Sequence, residues 1–239
     1  MSSRIEKIIT RQALVISGAI ICLALTASPL LAAPTDGTNI PYKGKYITGY
    51  QNNSIFKHDL ANPYGSIKSF QNYYTLSYGV CDWLTLDGKI GFGNVVESGG
   101  VNPKVEHNDG FAGGYGFRLR VLDDPKNKVR VVTGFQHTST HPVDRDLNGD
   151  KRHAIYEDWQ VSLVSSKDIG IVTPFAGAKL SYGNLIQETN DIDRKNRPPK
   201  YYAGAIIGVS VKVTKNTYLS VEGHFIDETS LSSGFYYTF

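Results

Sequence analysis

The chain has 239 residues, 20% of them charged, a formal net charge of +3, and abundant glycine (24) and tyrosine (15). So small and scattered a surplus of positive charge excludes a nucleic-acid binder, which needs a basic surface to neutralise a run of phosphates. Cys22 and Cys81 are the only cysteines, too few for a disulfide framework.

The N-terminus carries Arg4, Lys7 and Arg11, then an apolar run from Ala13 to Leu25, then small residues at Ala27-Ser28 and Ala32-Ala33. This is the three-part plan of a secretory signal peptide, expected over 1–33, with 34–239 as one domain. The competing reading is an anchoring helix, since Ala13 to Ala33 is nearly long enough to span a bilayer. Pro34 is a poor residue to follow a cut, so the boundary is not fixed. If the leader is removed, Cys81 stands alone.

After a lead-in from Pro34 to Pro41, a weakly alternating first strand is expected near Lys45–Phe56. A second near Lys68–Val80 runs into the tight turn Gly79-Val80-Cys81-Asp82 and then Trp83–Gly93, with Leu84, Leu86, Ile90 and Phe92 on one side. Val95–Asp109, rich in Gly, Asn and Pro, reads as a loop. Phe111–Val121 alternates most clearly, with Phe111, Tyr115, Phe117, Leu119 and Val121 opposite Gly114, Gly116, Arg118 and Arg120.

Lys128–Ser139 and Ala154–Ser165 flank the polar stretch Thr140–His153. Gly170–Tyr182, a third polar loop Asn184–Lys200, and the apolar stripe of Tyr201–Val213 follow. The strands Thr217–Phe225 and Leu231–Phe239 complete the chain. Strand side chains alternate between faces, so each segment presents one apolar face. No helical period occurs after the leader.

Short turns alternate with long polar loops, which in a meander implies two unlike ends. Strands of about 9–11 residues match a tilted bilayer crossing. These features predict an all-β fold, an up-and-down antiparallel transmembrane β-barrel of about ten strands. The competing soluble sandwich or lipocalin-like barrel has the same periodicity with its apolar face inward. Glycines crowd the polar face (Gly114, Gly116, Gly134, Gly177, Gly204, Gly208), as a narrow lumen requires. Aromatics sit near strand ends (Tyr78, Trp83, Trp159, Tyr201, Tyr202, Tyr237), as in interfacial girdles.

The ending Phe235-Tyr236-Tyr237-Thr238-Phe239 resembles the C-terminal strand of bacterial outer-membrane barrel proteins, and Gly79-Val80-Cys81-Asp82-Trp83-Leu84 resembles their tight turns. The resemblance implies an outer-membrane location after export, contact with outer-membrane lipid, and recognition of the strand ending at Phe239 by the barrel assembly machinery.

With the apolar face on lipid, the polar face becomes the lumen. Arg118, Arg120, Lys128 and Arg130 lie on consecutive strands there and are expected to form a lumen-lining basic cluster. Mixed charges in a narrow bore pair across it and plug it more often than they line a channel. Asp144-x-Asp146-x-Asn148-Gly149 matches the first half of a calcium loop, but Ile155 stands where the twelfth-position acid belongs. A solvated loop is the simpler reading, and no cofactor is otherwise expected.

His137, Ser139 and His141 alternate along one strand, and Glu157 lies on the next. If Phe135 pairs with Trp159, His137 falls opposite Glu157 with Ser139 two residues along. A Glu orienting a His that activates a Ser is the logic of acyl hydrolysis. Gln136-His137-Thr138-Ser139 is similar to the His-x-Ser segment of lipid A 3-O-deacylases, barrels with a Ser-His-Glu site on the outer wall. That likeness implies His137 as base, Ser139 as nucleophile and Glu157 as orienter. Thr140 replaces the Asn usual after that serine, the Ser-to-Glu spacing is longer, and the strands outnumber that family's usual eight. The sequence therefore leaves enzymatic activity open. A small pore or a structural or surface role leads, a lipid-facing acyl hydrolase follows, and binding through the long loops is a third reading.

Overall fold

The computed structural model describes residues 35–100, 104–147, 149–190, 192 and 194–239; the expected leader lies outside them. Among the described residues twelve strands run in order: β1 (Tyr46–Asp59), β2 (Ser66–Cys81), β3 (Leu84–Ser98), β4 (Val105–Asp124), β5 (Val129–Val143), β6 (Arg145–Leu147), β7 (Asp150–Lys167), β8 (Val172–Thr189), β9 (Lys195–Arg197), β10 (Ala203–Lys212), β11 (Thr217–Phe225) and β12 (Glu228–Thr238). Ten of them form the wall. Each pairs antiparallel with its neighbours in sequence, β12 pairs with β1, and β7 with β8, so the sheet closes and has no edge. The short β6 and β9 are hairpin arms folded onto β7 and β8 at the long-loop end.

The sidedness is that of a membrane barrel. Phe117, Tyr115, Val161, Leu163, Leu180 and Ile207 are exposed on the outside. Arg118, Asp87, Lys179, Glu222 and His224 are buried within. A soluble barrel would reverse this arrangement. On β2 the outward apolar residues run from Phe70 to Val80, a height of roughly 25 Å for a tilted strand. The six girdle aromatics all face out, with Trp83 58% exposed. The even strand number, with both ends of the wall on the short-turn side, is the plan of outer-membrane barrels.

The long polar stretches are mostly strand. β3 continues to Ser98 and β4 begins at Val105, so the expected loop Val95–Asp109 shrinks to its middle. Likewise β5 and β7 extend to Val143 and from Asp150, and β8 reaches Thr189. Above the lipid the pattern inverts: Ile55, Leu60, Ile67, Val95, Ala154, Tyr156 and Leu185 close into a buried apolar cluster inside the barrel, while Glu106 and Asn108 face out. Water replaces lipid as the outer solvent there, so the apolar face turns inward. A reading tuned to lipid-facing alternation takes such a segment for loop.

Below that cluster the bore is filled by paired charges. Lys179 contacts Asp227 at 2.9 Å and also Glu228, and His224 bridges Glu228 and Glu222 at 3.3 and 2.6 Å. Two glycines make the room. A Cβ on Gly204 would lie 2.0 Å from the Asp227 carboxylate, and one on Gly208 would lie 2.3 Å from the Phe175 ring.

The lower bore is occupied by the lead-in itself. The Glu222 carboxylate accepts the amides of Thr35 and Gly37, and Asp36 pairs with Lys89 at 3.1 Å. Arg118 donates to the carbonyls of Asp36 and Asn39 while pairing with Asp87 at 2.7 Å. Thr38 and Ser166 share a 2.6 Å hydroxyl contact.

Candidate outer-wall site

Strand β5 carries the candidate chemistry up to the boundary between lipid and water. Its outward residues there are Phe135, His137, Ser139 and His141, between the buried Gly134, Gln136, Thr138 and Thr140. The register with β7 differs from the expected one by two residues: Phe135 faces Val161, His137 faces Trp159, and Ser139 faces Glu157. Hairpin register is set by turn geometry, and the added β6 arm changes that geometry.

This shift changes who meets whom. Glu157 lies directly opposite Ser139, not His137. The His137 ring stacks on Trp159, with centroids 3.8 Å apart and planes at 25°, and stands edge-on to Tyr115. It therefore serves as part of an aromatic cluster. His141 takes the place beside the serine, with Ser139 Oγ and His141 Nε2 2.8 Å apart. Phe111, its partner across β4, flanks the imidazole at 6.2 Å. The serine's hydrogen-bond partner is therefore His141, which shares the face of His137 two outward positions further along the strand.

Across the sheet Ser139, Glu157 and Asn184 form one row, since Glu157 pairs with Asn184 on β8. Asn184 donates to Glu157 Oε1 at 3.4 Å, and its own Oδ1 is buried without a partner. Among the described residues Glu157 makes no hydrogen bond to either histidine. The Ser139–His141 contact is formed, and no hydrogen bond joins Glu157 to His141. Tertiary pairing brought Asn184 into this row; nothing in its local sequence marks it.

The other candidates do not form one group, though Arg120 and Arg130 line a common cavity. Arg118 is locked on Asp87. Arg120 lies 3.5 Å from Asp123 and stacks over Tyr42 at 4.2 Å. Arg130 pairs with Asp168 at 2.5 Å. Lys128 is exposed in the β4–β5 turn with φ 57°, outside the lumen, because Pro125 to Lys128 must reverse the chain. In the external hairpin Asp144 binds His153 and Lys151, and Asp146 caps the Gly149 amide. Asn148 lies outside the described residues. Among the described residues no group of three or more His, Cys, Asp or Glu side chains is placed to hold a metal.

No protein-family model matches the chain, and no curated protein matches it. Solved structures similar to it include an outer-membrane channel from Pseudomonas putida F1, at TM-score 0.43 and 11% identity over 87% of this chain and 100% of that one. The translocator domain of the autotransporter NalP from Neisseria meningitidis gives 0.42 and 8% over 96% and 95%. The outer-membrane protease OmpT from Escherichia coli gives 0.41 and 11% over 86% and 100%.

Proposed function

We propose that the chain is an integral barrel of the bacterial outer membrane that works at its outer wall and external rim rather than by conducting solutes through its bore. The observation that carries this reading is the filled lumen: residues 35–41 below, the Lys179–Asp227–Glu228 group in the middle and the apolar cluster above. Opening a path would break buried ion pairs at several levels, each costing about 3–5 kcal/mol. Refolded protein in a planar bilayer should show no current steps; steady single-channel conductance would overturn the proposal. The outward Phe235, Tyr237 and Phe239 support recognition of β12 by the barrel assembly machinery.

A second reading rests on the 2.8 Å contact between Ser139 and His141 on the lipid side. In it, Ser139 Oγ forms a bond to the carbonyl carbon of an acyl chain while its proton passes to His141 Nε2. The same proton then goes to the departing alcohol, and water activated by His141 releases the acyl group. Glu157, opposite the serine, favours the imidazolium that forms between these steps. Mass spectrometry of lipid A and phospholipid incubated with wild type and Ser139→Ala tests it: acyl loss with wild type alone supports the reading, and no loss with either ends it.

A further inference from the structure

At the short-turn mouth of the barrel a cavity of about 390 Å³ lies between the inserted lead-in and the inner wall. Lys45, Arg120, Arg130, Lys212 and Lys215 line it, and no carboxylate side chain does. The first four come from four different places on the wall: the entry to β1, then β4, β5 and β10. In each case strand alternation aims the residue inward, in step with Ile47, Arg118, Val132 and Ser210. Lys215 joins them from the turn between β10 and β11. Five cations have thus been brought to one concave surface by the closure of the sheet.

Their charges are only partly met. Asp123 and Asp168 each engage one edge of an arginine, while Nε of both Arg120 and Arg130 is buried without a hydrogen-bond partner. The ammonium groups of Lys45, Lys212 and Lys215 have no partner among the described residues. A buried guanidinium N–H without an acceptor is costly, and an oxyanion is the acceptor that matches a guanidinium's planar fork. The remaining wall includes Ile40, Ile47 and Tyr218, so the cavity joins a cationic rim to an apolar side, the make-up of a small-ligand pocket.

We infer that the mouth is a binding site for a small organic oxyanion, a phosphate or carboxylate carrying an apolar body. Its charged end meets Arg120, Arg130 and Lys212, and its body lies against Ile47 and Tyr218. The site faces the short-turn side and is independent of the outer-wall serine.

Isothermal titration of the full-length barrel in a zwitterionic detergent, with phenyl phosphate as probe and benzyl alcohol as the uncharged control, tests this inference. The ammonium groups of Lys212 and Lys215 make no ion pair or hydrogen bond among the described residues, so a Lys212→Gln/Lys215→Gln variant should fold as wild type, checked by heat-modified mobility on gels. Phenyl phosphate should bind wild type, weaken as salt is raised, and bind the double variant roughly tenfold less tightly; benzyl alcohol should give no heat. Absence of phenyl phosphate binding, equal binding by wild type and variant, or equal binding of benzyl alcohol would each overturn the assignment.

Discussion

Two polar clusters on opposite faces of the same wall use the same side chains to different ends. Inside, His224, Glu222, Glu228, Asp227 and Lys179 are buried, and cation and carboxylate contacts tie them together. Outside, Ser139, His141 and Glu157 make one contact where two would be needed for a relay, and their faces are open. Burial in a low dielectric penalises any charge left unpaired, so the inner charges hold one another in ion pairs, although Asp227 Oδ1 and Glu228 Oε2 are left without a hydrogen-bond partner. The outer one bears no such demand and is free to meet a lipid. A polar cluster is therefore read for chemistry by the charges it leaves unpaired, and the lysines of the short-turn mouth fall on the unpaired side of that division.

The sharpest test of the contrast removes the central cation. Lys179→Met leaves Asp227, Glu228 and the nearby Asp158 without their common partner and should destabilise the barrel by about 3–5 kcal/mol, read as a lowered urea midpoint in detergent micelles. A change under about 1 kcal/mol would mean that the inner cluster is not closed. Gly204→Ala should cost about 1–3 kcal/mol, because its Cβ would collide with the Asp227 carboxylate that Lys179 holds; the same titration measures it.

A smaller effect is expected in the external hairpin. The hydrogen bond from His153 holds the Asp144 carboxyl below its usual 3.8, with help from Lys151. A lowered carboxylate value contributes stability above its unfolded pKa and loses it as pH falls through the folded one. That contribution should therefore fade only below about pH 3.8 and stay under about 1 kcal/mol at this exposure. His153→Ala should raise the Asp144 titration toward its usual value by carboxyl NMR. Ser139→Ala should leave stability within about 0.5 kcal/mol, in contrast to its inner counterparts. A large loss of stability on removing that hydroxyl would return Ser139 to a structural role.

Much of the wall was legible in the chain. Phe117 against Arg118 and Val161 against Ser162 announced sidedness at each step, and the aromatic ending at Phe239 marked the closing strand. The upper extensions were not legible, because Val95, Ala154 and Leu185 turn inward where the outer solvent changes. Asp227 and Glu228, where β11 turns into β12, resemble any exposed turn in the sequence, yet the backbone folds them onto Lys179. Residues 35–41 likewise read as a lead-in and lie in the bore.

At the outer-wall site, alternation placed His137, Ser139 and His141 on one face but could not choose between the two imidazoles. Both stand two residues from the serine, and the choice belongs to the cross-strand neighbours. By itself, the sequence determined the all-β meander, the ten wall strands and which residues share a face, since period-two alternation is a local property of each segment. The glycines of the polar face and the aromatic ending pointed the apolar face to lipid. Only the tertiary structure decided what fills the bore, which histidine contacts Ser139 and where five cations converge. Register and closure bring together residues far apart in the chain, and no local pattern encodes those distances.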